Sequence, residues 1–165
     1  MMDTPLVLYE EDHRRILGVI GRLVREANAK GVFVVDKNGQ LIAEAGEVRG
    51  IDSTSLASLT AGSIAATGGL AKIIGEEDFP THFHQGLRDN LHITTVARRM
   101  ILVVIFDERS SLGLVRLRVK KASQELNDVF ARIMAKVERE KQSAGSAFES
   151  PFAEITDEDI DSLFT

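Results

Sequence analysis

The segment 51–75 constrains this chain more than any other, because it combines a helical pattern with residues that helices avoid. Leu56, Leu59, Ser63, Ala66, Leu70 and Ile73 recur at spacings of three and four, the stripe a helix needs to pack against a core. Opposite that stripe fall Ser58, Gly62, Ala65 and Gly69, a smooth strip with almost no side chains. Gly62, Gly68 and Gly69 lie inside the pattern, and each glycine in a helix interior costs about 1 kcal/mol relative to alanine. A helix carries a penalty of roughly 3 kcal/mol where another backbone has to come close. Tight packing within the chain's own domain is the plain explanation. The leucine stripe already supplies a core face, however, so the strip is expected to serve self-association and a heterologous partner.

Other elements follow from periodicity. Residues 9–28 place Ile16, Ile20, Leu23 and Ala27 on one helical face, and Gly31 lies beyond the helix end. Two β-rich stretches within 32–46 flank Asn38-Gly39, a dipeptide suited to a tight hairpin turn. Asp52 or Ser53 caps the glycine-rich helix and Gly75 closes it. Residues 84–87 and 91–97 read as strands, and 100–106, apolar throughout, as a central one. Arg98-Arg99 is the expected turn between the last two. A final helix starts at Ser110 or Ser111, with Leu112, Val115, Val119, Ala122, Leu126, Val129 and Ile133 as its stripe. The order helix, two strands, helix, three strands, helix predicts an α+β layered domain on an antiparallel sheet.

The tail differs. Residues 142–151 are small and polar, like a linker, leaving 1–141 as the folded domain. Residues 152–165 carry a helix-start signature: Thr156 as N-cap, Asp159 in the capping-box position, and Ile155 with Ile160 as a staple. Ile160, Leu163 and Phe164 share one face. So short a helix is marginal alone in water, so the acidic segment is expected to form a helix on entering a partner's groove.

Much chemistry is excluded. A net charge of −5 argues against nucleic-acid binding. The absence of cysteine removes disulfide and thiolate chemistry. No signal-peptide pattern opens the chain, and its longest apolar run is too short to span a bilayer, so a cytoplasmic protein without membrane insertion is expected. No phosphate-binding loop and no nucleophile turn occur. Neither a catalytic cluster nor a cofactor motif is present, and an intrinsic enzyme is the weakest reading. His82 and His84, near Glu76, Glu77 and Asp78, lack the further ligands of a metal site and read as surface histidines. Arg98, Arg99 and Arg109 can be weighed as charge-stabilising fingers offered to another enzyme, though arginines at a turn are ordinarily solvated. Arg116, Arg118, Lys120 and Lys121 form a basic stretch. It reads as a solvated face or as a dock for an acidic partner, the chain's own tail included.

Three stretches carry a family resemblance: Val35-Asp-Lys-Asn-Gly-Gln-Leu-Ile42, the helix 52–75, and Val103-Val-Ile-Phe-Asp-Glu-Arg-Ser-Ser-Leu-Gly-Leu-Val-Arg-Leu-Arg118. Together they resemble the roadblock/LC7 family, regulators of small GTPases, over 9–137. The tail 151–164 is similar to that of one bacterial branch, which acts in cell polarity and gliding motility; generic members lack it. The Arg98-Arg99 turn is the least family-like part. The resemblance implies the roadblock/LC7 layered fold, a five-stranded antiparallel sheet with one helix on one face and two on the other. It implies a homodimer formed through central helices and edge strands. By carry-over, Ala65 and Gly69, with Ser58 and Gly62 by position, form the platform for one Ras-like GTPase per dimer. Ile155, Ile160, Leu163 and Phe164 are the expected contacts of the tail helix. Two rival readings remain: a scaffold of the same fold that recruits a motor or membrane complex without altering hydrolysis, and a small-molecule sensor with a cavity between sheet and helix.

Overall fold

The computed structural model describes residues 8–152, and their side chains as far as 143. Its elements are α1 (Glu10–Glu26), β1 (Gly31–Asp36), β2 (Leu41–Gly46), α2 (Ser53–Ile73), β3 (Thr81–Gln85), β4 (Asn90–Val96), β5 (Met100–Phe106) and α3 (Leu112–Phe152). Residues Leu8–Ala131 form one compact unit, and the later part of α3 belongs to a second. Within the first, five strands make one sheet in the order β2-β1-β5-β4-β3, every pair antiparallel. β5 is buried at every position, as its unbroken apolar run requires of a strand covered on both faces.

Side-chain alternation sorts the two layers. Phe33, Val35, Ile93, Ile101, Val103 and Ile105 join Ala57 and Ile64 of α2 in one core. On the other face α1 lies against β1 and β2, and α3 lines a groove with His92 and Thr94 of β4. Arg22 of α1 donates to Glu125 of α3 at 3.0 Å, while Arg118 and Lys121 sit 3.8 and 3.9 Å from Glu26. One helix covers one face of the sheet, and two cover the other.

Local chemistry sets the boundaries. Gly31 lies beyond α1, which Asn28 closes at φ +51°, with the Ala29 N–H bonded to Val24 O. Gly39 adopts φ +91° in the β1–β2 turn, and its N–H donates to the Asp36 carbonyl at 2.8 Å. The Asp36 side chain accepts from the Asn38 N–H. Asp52 caps α2, accepting from the Ser55 N–H at 3.1 Å and the Ser55 hydroxyl at 2.6 Å, and these bonds lower its pKa. Gly75 ends α2 at φ +85°, with the Glu76 N–H returning to Ala71 O at 2.8 Å, the bond of a Schellman closure. The Ser111 hydroxyl accepts from the Leu114 N–H and opens α3.

Three expectations need correction. Strand β3 begins at Thr81 rather than at His84, because cross-strand pairing with Thr94 and Ile93 extends a sequence without apolar alternation. The β4–β5 turn rests on Ala97 and Arg98, both at positive φ, not on Arg98-Arg99; the Arg99 N–H closes it onto Val96 O. The third concerns α2. Leu59, Leu70 and Ile73 are 73, 58 and 80% exposed, whereas Ala57, Thr60, Ile64 and Ala71 are buried. Ala57 and Ala71 lie beside Ile64 on the buried face, and of the apolar stripe Leu59, Leu70 and Ile73 face away from the core while Leu56 packs against its margin. Helix α3 runs on through 142–151 to Phe152, across the stretch read from composition as a linker. The tail-contact residues Ile155, Ile160, Leu163 and Phe164 lie outside the described residues.

Candidate functional site

Helix α2 has three faces. The first, from Ala57 to Ala71, meets the sheet. On one flank Ser58, Gly62, Ala65 and Gly69 are all exposed, a strip about 16 Å long at 1.5 Å rise per residue. A Cβ built on Gly62, Gly68 or Gly69 would meet nothing within 4 Å. No described part of this chain makes the close approach that would account for those glycines. At its N-terminal end the strip is bordered by the β1–β2 turn, where a Cβ on Gly39 would stand 3.4 Å from Cα of Ser58. That distance is an ordinary van der Waals contact; it is the φ of +91° that favours glycine at position 39.

The opposite flank is apolar. Leu56, Leu59 and Ser63 line a groove of about 500 Å³ with His84, Leu91 and Ile93. α2 leans on β1 and β2, and the sheet beyond it toward β3 stays open on this side. Leu70, Ile73 and Ile74 continue the exposed apolar stripe toward the helix end. The sequence thus placed the smooth strip correctly on the surface, and its partner stripe proves to be a second exposed surface.

The arginines weighed as charge-stabilising fingers are mostly engaged within the chain. Arg109 donates to Asp107 at 3.0 Å and to Glu47 at 3.4 Å; these bonds raise its pKa and lower that of Asp107. Arg99 lies 4.0 Å from Asp36. Arg98 is exposed in the β4–β5 turn. His82 and His84 stand opposite Ile93 and Leu91, on the α2 side of the sheet, and His82 bonds the Phe79 carbonyl through Nε2. Among the described residues no three His, Asp or Glu side chains are placed to hold a metal ion. Nor is any described helix long and apolar enough to cross a membrane.

Sequence reasoning did not single out His92. It is 2% exposed on the α3 side of β4, and burial first, then the nearby Arg116 charge, lower its pKa. Its position opposite Phe83 on the edge strand depends on register, which no local pattern announces.

A sheet of this order, one helix on the glycine-bearing face and two on the other, is found in known proteins. Residues 16–106 match the Roadblock/LC7 domain, and the chain belongs to the roadblock/LC7 family. It is 61% identical to Myxococcus xanthus MglB, at a TM-score of 0.73 over 78% of this chain and 96% of that one. The gliding protein MglB from Thermus thermophilus is 34% identical, with a TM-score of 0.72 over 78% of this chain and 97% of its own. An MglB solved in a tetrameric arrangement is 31% identical and gives a TM-score of 0.75 over 80% and 99% of the two chains. No curated protein matches the chain.

Proposed function

We propose that this chain is a GTPase-activating regulator of a small bacterial Ras-like GTPase of the MglA kind, acting as a homodimer in cell polarity and gliding motility. The observation that carries this reading is the bare strip Ser58, Gly62, Ala65 and Gly69, open to a second backbone in a chain 61% identical to an MglB. The apolar flank with Leu59, Leu70 and Ile73 and the open edge strand β3 are the dimer surfaces. Two-fold pairing sets two strips near the axis, so one GTPase across both excludes a second, giving two chains per GTPase.

The regulator acts by holding the switch regions of the GTPase in a productive arrangement, a population shift, and contributes no inserted arginine. The domain 1–141 carries this action. The tail 152–165 forms its short helix on a separate surface of the GTPase through Ile155, Ile160, Leu163 and Phe164. Tethering makes that contact effectively intramolecular, and it assists nucleotide exchange. The regulator works in the cytoplasm and gathers at a cell pole.

Single-turnover GTP hydrolysis by a Ras-like GTPase from the same genome tests the reading. The full chain is expected to accelerate hydrolysis, and Gly69→Arg to abolish the acceleration while the dimer stays folded. Unchanged hydrolysis, with equal affinity for the GTP- and GDP-loaded forms, would instead favour the recruiting scaffold.

A further inference from the structure

The basic stretch of α3 divides between two directions. Arg118 and Lys121 turn to Glu26 of α1. Arg116 and Lys120, one helical turn apart, line a groove of about 530 Å³ between α3 and the β3–β4 flank of the sheet. Val119 and Ser123 share its helical wall, and His92 and Thr94 its sheet wall. Among the described residues no carboxylate lines it. His92 Nε2 and Ser123 Oγ are buried there without a hydrogen-bond partner. Two cations flanking the apolar Val119, with no carboxylate beside them among the described lining residues, suit a segment that brings carboxylates and apolar side chains together.

The sequence supplies such a segment. Residues 152–165 contain Glu154, Asp157, Glu158, Asp159 and Asp161 and no lysine or arginine, interleaved with Ile155, Ile160, Leu163 and Phe164. The groove runs beside β3, which ends the strand order, and an edge strand of this kind is where another chain is received.

We propose that the groove between α3 and the β3 flank binds the acidic tail, 152–165, of a second copy of this chain, its carboxylates facing Arg116 and Lys120 and its apolar side chains facing Val119. The attraction is between partly exposed charges, so it weakens with salt. A tail seated there is withheld from any other site, which makes the groove a resting place competing with the tail's other contacts. The proposal stands whether or not the chain regulates a GTPase.

The chain has no cysteine, so single thiols report the contact. Full-length Gln124→Cys chains, with the substituted residue on the groove, are mixed with ¹⁵N-labelled full-length Ser162→Cys chains and mildly oxidised. Linked peptides are then quantified by mass spectrometry. Arg14→Cys, on the exposed side of α1, replaces Gln124→Cys as the control. Gln124→Cys should link to the labelled tail about tenfold more than the control, the gain expected of a held contact. Adding Arg116→Glu should return the yield to the control level. Equal yields at the two positions, or a yield indifferent to Arg116→Glu, overturns the proposal.

Discussion

Helices α1 and α2 cover opposite faces of one sheet and use their apolar residues in opposite ways. α1 buries Ile16, Val19, Ile20 and Leu23 and shows water a charged surface, where Arg14 pairs with Glu10 and Arg15 with Glu11. α2 buries Ala57, Thr60, Ile64 and Ala71 and leaves Leu59, Leu70 and Ile73 outside. The first helix completes its packing within the chain. The second leaves Leu59, Leu70, Ile73 and its glycine strip on the surface, with Ile64 its one large side chain fully in the core. Surface apolar stripes of this kind mark interaction sites.

Substitutions on the two helices can break or sharpen that contrast. The largest effect is expected at Gly69→Arg, which should return GTP hydrolysis to the rate of the GTPase alone. The same change should raise the chain's own stability by about 0.5–1 kcal/mol, because arginine is the better helix former and open space receives it. Loss of activity together with a fall in urea midpoint would mean that the strip is structural. Next comes Ile20→Ala on α1, fully buried and expected to cost about 2–5 kcal/mol in urea unfolding.

A smaller effect belongs to His92. Its folded pKa lies below the ordinary 6.5, so between the two values the unfolded chain binds the extra proton. The neutral imidazole's contribution is complete above about pH 6.5 and is lost as pH falls through the lower folded value. His92→Gln should flatten the urea midpoint between about pH 7.5 and 5. The smallest change in stability, within about 0.5 kcal/mol, is expected of Ile73→Ser on the exposed stripe of α2. Sedimentation should nevertheless show that variant shifting from dimer toward monomer.

The contrast also explains what was legible beforehand. The apolar run of β5, the Asn38-Gly39 turn, the Asp52 cap and the Gly75 closure each rest on local chemistry, and the structure has all four. The smooth strip was legible because glycine in a helix carries a known cost that needs a reason. The core face of α2 was not, since periodicity registers apolar side chains without saying which partner covers them, and Ala57 and Ala71 look unremarkable beside a leucine. β3 was started too late because Thr81, His82 and Phe83 offer no apolar alternation, and only pairing with β4 makes them a strand. The Ala97-Arg98 turn lacks glycine, so its left-handed backbone left no mark in composition. The groove behind Arg116 needed the distant register of β3 and β4 before it existed at all.

The pairing of β1 with β5 has a consequence for synthesis. Val35 lies opposite Ile101, and Asp36 opposite Met100, so one long side of β1 waits for residues that leave the ribosome much later. β2 can zip onto the other side almost at once. Until residue 106 emerges, the nascent chain carries Val32, Phe33, Val34 and Val35 beside a bare seam, a sticky interval that invites a chaperone or a neighbouring polysome product. Translation that stalls between α2 and β5 should therefore yield insoluble fragments, whereas a stall beyond β5 should release a chain whose sheet is already closed.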